Sequence, residues 1–159
     1  MALRETGEND LIELCQQTQL PLVGIFARDG LPKHKHMGFF IINLDTKNPQ
    51  KSQGGTHWVS MFTTPTHAVY FDSFGCQPPT HVLDYLTRFW SKANCFFNVW
   101  QCQDVNADSC GQWCIVFGAV AKKGGRNAPQ FVMAWLNEFQ DSTKQNELQL
   151  RKQFRQLVT

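Results

Sequence analysis

Two periods of apolar spacing alternate along this chain, and the points where one gives way to the other mark its elements. Residues 10–17 carry a short helical pattern, with Asn9 or Asp10 placed to cap it. PLVGIFA (21–27) and MGFFIINL (37–44) are β-rich runs separated by the turn-prone DGLPKHK. TKNPQKSQGG (46–55) reads as a polar loop. HWVSMF (57–62) and HAVYFD (67–72) follow as strands joined by TTPT, and SFGCQPP then breaks the sheet. Thr80 is placed to cap a helix whose Val82, Leu83, Leu86, Phe89 and Trp90 follow the 3.6 period.

CFFNVW (95–100) predicts another strand. The stretch after Cys110 is apolar nearly all round its axis, which predicts a helix buried in the core. A helix from Pro129 at its first position buries Phe131, Val132, Trp135, Leu136 and Phe139. The last begins near Ser142, where Ser142 and Gln145 form a capping-box pattern, and buries Leu150, Phe154, Leu157 and Val158. With no repeat and no linker long enough to divide it, residues 1–159 read as a single α+β domain, its central helix packed on a mostly antiparallel sheet.

Composition narrows this little. Five Trp and 13 Phe supply an aromatic core and argue against disorder. A net charge of +2 permits only a weak preference for an acidic partner. The N-terminus shows no signal peptide, and no run approaches the ~20 apolar residues of a spanning helix. The six cysteines are therefore read as thiols of a reducing compartment. With no CxxC pair, and with His34 and His36 lacking partners at ligand spacing, no metal site is expected.

Two places carry candidate chemistry. If residues 63–66 form a hairpin loop, Phe62 pairs with His67, and equal steps outward put His57 opposite Asp72. Opposed residues have Cβ atoms about 4.5–5.5 Å apart, so the carboxylate reaches the imidazole. The alternative is that each merely ends a strand in solvent. The second place is DSCGQWC (108–114). With Asp108 or Ser109 as N-cap, Cys110 falls in the first helical turn, where the helix field favours a thiolate and free backbone N–H groups can hold an oxyanion. Gly111 leaves room for a substrate backbone, Cys114 lies one turn deeper as a packed thiol, and Cys76 is the second candidate for a reactive thiol.

GGTHW (54–58), VYFDSFG (69–75) and QDVNADSCG (103–111), in that order, resemble the adenovirus-type maturation cysteine proteases, the adenain-like family. They resemble more distantly the deconjugating proteases of SUMO and other ubiquitin-like proteins, members of the same clan. LVGIFARDGLPKHKHMGFFIIN, closed by Asn43, extends the likeness, which covers residues 9–121. It implies a papain-like fold in which His57 is the general base, Asp72 its acidic orienter, Cys110 the nucleophile and Gln103 the oxyanion donor. Gln103 stands seven residues before the cysteine, as in the viral branch; the deconjugating spacing falls on Asp104, and Asn106 matches both. Trp58 becomes a wall of the substrate groove, with a core role as its alternative.

The resemblance further implies cleavage of viral capsid or core precursors at glycine-containing sites, in the virion and in the host cytoplasm or nucleus. No cofactor is required by the residues themselves, while a short peptide or DNA activator is implied by the family. Lys122, Lys123, Arg126, Lys144, Arg151, Lys152 and Arg155 offer a surface for weak DNA binding, or are ordinary solvated helix faces. Two rival functions stay open: a deconjugating isopeptidase, and a catalytically silent capsid-associated binding module.

Overall fold

The computed structural model describes residues 6–45, 57–140 and 142–159. One sheet runs in the order β1 (Leu22–Ala27), β2 (Gly38–Asn43), β3 (Trp58–Thr63), β4 (Ala68–Phe71) and β5 (Cys95–Phe97). Helix α1 (Glu8–Gln17) precedes it and α2 (Thr80–Phe89) links β4 to β5. Helices α3 (Cys110–Gly124), α4 (Ala128–Leu136) and α5 (Thr143–Val158) follow. The polar loop expected over 46–55, and Gly54, Gly55 and Thr56 of the GGTHW stretch, lie outside the described residues. Among the described residues no helix is long and apolar enough to cross a membrane.

The sheet is mixed, which corrects the expectation of a mostly antiparallel one. β2–β3 and β3–β4 are antiparallel, whereas β1–β2 and β4–β5 are parallel. An apolar period of two records which face a residue takes and nothing about strand direction. Both faces are covered, so the inner strands read as nearly unbroken apolar runs. Phe39, Ile41, Phe62, Val69 and Phe71 pack with α1, α3, α4 and α5 on one side. Phe40, Ile42, Val59, Met61 and Tyr70 pack with α2 on the other.

Helix α3 is buried from Cys110 to Gly118 because it lies between the sheet and the two C-terminal helices. Rings from the neighbouring elements close around it: Phe71 stacks on Phe117 at 5.2 Å, and Trp113 meets Phe139 edge-on at 4.8 Å. Such pairs contribute roughly 0.5–1.5 kcal/mol each beyond area burial. Gly118 lets the helix approach β2, since a Cβ there would lie 2.8 Å from the Phe39 ring.

Several boundaries differ from the sequence expectation. Helix α1 begins two residues early, with Gly7 as N-cap and its N–H bonded to the Asp10 carboxylate at 3.0 Å. Pro79 rather than Thr80 precedes α2, whose Leu83 faces solvent while Tyr85 takes the buried place. The strand expected over 95–100 stops at Phe97. Ala128 precedes Pro129 as the first residue of α4, and Phe131 is exposed. Ser142 caps α5 as expected, accepting from the Gln145 N–H at 3.3 Å.

Candidate active site

The hairpin that carries His57 and Asp72 is in a different register from the expected one. Thr63 pairs with Ala68 and Ser60 with Phe71, so Phe62 faces Val69 rather than His67. Continued outward, that register sets His57 against Phe74, and the two rings do stack, with centroids 4.5 Å apart. Asp72 is then a diagonal neighbour of His57 on the same face, because the change preserves the alternation of sides. The imidazole still reaches it: His57 Nε2 lies 2.7 Å from Asp72 Oδ1.

Asp72 is fixed from three directions. It is buried, and its Oδ1 also accepts the Phe74 N–H at 2.8 Å. Asn98, just beyond β5, accepts the Asp72 N–H at 3.0 Å and donates its Nδ2–H to the Asp72 carbonyl at 2.6 Å. Asn98 thus fixes the Asp72 backbone, and the carboxylate cannot swing away from His57 without giving up the Phe74 N–H.

Cys110 is the first residue of α3 and is 8% exposed. Its side chain hydrogen-bonds His57, so the ring bridges carboxylate and sulfur. Since Nε2 is held by Asp72, Nδ1 is the nitrogen left for the sulfur. Burial pushes the His57 pKa down, but the hydrogen bonds to Asp72 and Cys110, and the charges on both, raise it to about 9. The imidazolium is thus the ring's form at neutral pH. The other buried thiols are driven the opposite way from a nucleophile: desolvation raises Cys15 to about 11 and Cys102 to about 12, and Cys114 well above its ordinary value. Cys76 is exposed.

Gln103 is buried and held at both ends of its amide. Its Oε1 accepts from Ser73 Oγ at 2.5 Å, and Nε2 donates to the Ala107 carbonyl at 2.7 Å. The Ser73 carbonyl also accepts the N–H groups of Cys102 and Gln103. Asp72 and Ser73 are adjacent, so one turn after β4 serves both the histidine and the glutamine. Gly75 makes that turn: its φ is +74°, and a Cβ would strike the Trp100 backbone at 2.6 Å. Asn106 is exposed, its N–H bonded to the Asp104 carboxylate.

Two expected contributors are placed otherwise. The space beside Gly111 is filled by Thr6, whose Cβ would lie 2.9 Å from an added Cβ, and by Leu11. Gly111 thus admits the chain's own N-terminal segment, which corrects the expectation of room for substrate. Trp58 is in the core, with its indole N–H donated to the Thr6 carbonyl at 2.9 Å, so the groove-wall expectation is likewise corrected.

The sequence reading passed over Ser73, Asn98 and Glu147. Glu147, buried in α5, accepts from Ser109 Oγ at 2.9 and 2.7 Å through its two oxygens. A signal existed for two of them: Asn98 interrupts an apolar run, and Glu147 falls at helical spacing on the face of Leu150 and Phe154.

No family model matches the chain, and no curated protein matches it. Among solved structures, the chain is similar to the ASFV pS273R protease, at 18% identity and a TM-score of 0.41. The likeness covers 59% of this chain and 38% of that one, so this chain spans well under half of its length. What the site can do therefore rests on its own geometry: a thiol at a helix start, an imidazole bridging it to a fixed carboxylate, and a buried primary amide nearby.

Proposed function

We propose that the chain is a cysteine endopeptidase, with Cys110 as nucleophile, His57 as acid and base, and Asp72 as orienter. The observation that carries this reading is the imidazole held between Asp72 and Cys110 at the start of α3. An imidazolium at neutral pH stabilises an adjacent thiolate, which is the attacking form. The sulfur adds to the scissile carbonyl carbon, and the displaced electron pair moves to oxygen. The Cys110 backbone N–H, at the helix start, donates to that oxygen. A primary amide carries two N–H donors; Gln103 spends one on Ala107, and the second is the one available to the oxyanion. Collapse breaks the C–N bond as His57 gives its proton to the leaving amine. Water, deprotonated by His57, then hydrolyses the thioester.

The motif order His57, Asp72, Gln103, Cys110 supports a maturation protease resembling the adenovirus type, acting on viral capsid or core precursors at glycine-containing sites. Under the same resemblance a short peptide or DNA is an activator, and adding each to the assay tests it. The test of the enzyme itself is cleavage of a peptide library enriched in glycine by wild type and Cys110→Ala. Cleavage that disappears in the variant while the melting curve is kept supports the reading. Equal cleavage by both refutes it, and capture by a ubiquitin-like electrophilic probe redirects it to deconjugation.

A further inference from the structure

Ser73 has a part in this site that rests on the peptidase reading. We infer that Ser73 is a positioning residue for the oxyanion donor: its hydroxyl pins the plane of the Gln103 amide, so that the amide's second N–H is kept for the substrate's oxygen.

The two ends of the Gln103 amide are told apart by their neighbours. The Ala107 carbonyl lies 2.7 Å from Nε2, and a carbonyl only accepts, so the nitrogen is the end that faces it. Oε1 is then the end that faces Ser73 Oγ at 2.5 Å, and the hydroxyl is the donor of that bond. One bond would leave the amide free to pivot, because the last torsion of a glutamine is broad. Bonds at both ends fix its plane, and with it the direction of the N–H that Ala107 does not take. Accepting a hydrogen bond at Oε1 also polarises the amide and strengthens its N–H groups as donors.

The hydroxyl is not what builds the turn. The Ser73 carbonyl accepts the Cys102 N–H at 2.8 Å and the Gln103 N–H at 3.0 Å, and the Gly75 N–H is donated to the Asp72 carbonyl at 2.8 Å. The Gln103 carbonyl accepts from Gln101 Nε2 at 2.9 Å. The backbone at both residues is thereby held by bonds that an alanine at position 73 would keep. Both side chains are buried, so bulk water cannot stand in for a missing hydroxyl. Asp72, the preceding residue, orients His57 through its own side chain. Consecutive residues of one turn thus serve the proton-transfer side of the site and the oxyanion side.

The test compares kcat for wild type, Ser73→Ala, Gln103→Ala and the double variant. Alkylation of Cys110 by iodoacetamide, a displacement that forms no oxyanion, is the second readout. Ser73→Ala is expected to lower kcat about fivefold or more, up to the roughly 10²-fold of a lost oxyanion donor, with KM within about threefold and alkylation within about twofold of wild type. Once Gln103 is replaced by alanine the hydroxyl has no amide to hold, so the double variant should match Gln103→Ala within about twofold. A hydroxyl that merely stabilised the turn would lower kcat and alkylation together, or multiply the two single losses. If Ser73→Ala does not fold, Ser73→Cys reads the same claim. Its thiol is a weak donor, so kcat falls about threefold or more while labelling of Cys110, followed by peptide mass mapping, is kept. The inference is overturned by a smaller loss of kcat than these, by alkylation falling along with kcat, by Gln103→Ala leaving kcat within twofold of wild type, or by a double variant more than twofold below Gln103→Ala. A wild type that cleaves no peptide removes the peptidase reading and this inference with it; wild-type cleavage with any of the overturning results removes this inference alone.

Discussion

Asp72→Asn isolates the charge in the centre of the site from its shape. Asn keeps an Oδ1 that can accept the Phe74 N–H, so the turn after β4 survives, and only the carboxylate's hold on His57 is lost. The rise of His57 from 6.5 to about 9 corresponds to about 3 kcal/mol favouring the imidazolium, at 1.36 kcal/mol per pH unit. Cys110 supplies part of that. A hydrogen bond to a charged group contributes roughly 1.5–3 kcal/mol, so losing the Asp72 share lowers the His57 pKa by roughly one to two pH units.

The sign follows from linkage. A histidine whose pKa is raised by folding stabilises the native state fully below its unfolded value near 6.5, and that contribution fades as pH rises through about 9. Asp72→Asn is therefore expected to cost about 1–3 kcal/mol of stability at pH 6 and little above pH 10. Two assays check this: NMR titration of the His57 ring, and denaturant unfolding at both pH values. Activity should fall on the order of 10²-fold or more, the scale of lost acid–base catalysis. A His57 titration that moves by less than about 0.3 pH unit, or a stability loss of equal size at both pH values, refutes the reasoning.

Gln103→Ala, which removes an amide held by Ser73 and Ala107, should lower kcat roughly 10²-fold with KM little changed, on the scale of one lost oxyanion donor. Steady-state kinetics checks it, and a change within twofold rejects the donor role. Iodoacetamide at neutral pH should label Cys110 and the exposed Cys76 first, read by peptide mass mapping. Desolvation holds Cys15 and Cys102 protonated, so faster labelling of either contradicts the burial described here. Trp58→Phe should free the Thr6 carbonyl from the indole N–H at a cost of about 1 kcal/mol, measured by unfolding, and raise hydrogen exchange in α1.

The pattern along the chain determined which segments become helices and strands, since one turn of helix or one pleat is a local matter of a few residues. It also put His57 and Asp72 on one face, because alternation of sides depends only on parity. Cys110 at a helix start was legible for the same reason: the change from polar DVNADS to an apolar stretch marks the junction in the sequence itself.

Tertiary structure decided everything that depends on distance across the fold. The hairpin register settled where Thr63 could pair with Ala68, and this made Phe74, not Asp72, the direct opposite of His57. Strand direction at both flanks of the sheet came from how the connections return, which no residue pattern encodes. Thr6 filled the space at Gly111, and Glu147 crossed from α5 to Ser109, contacts between segments far apart in sequence. Such contacts form only when burial of a shared core brings their elements together, so the choice of partner belongs to the assembled fold.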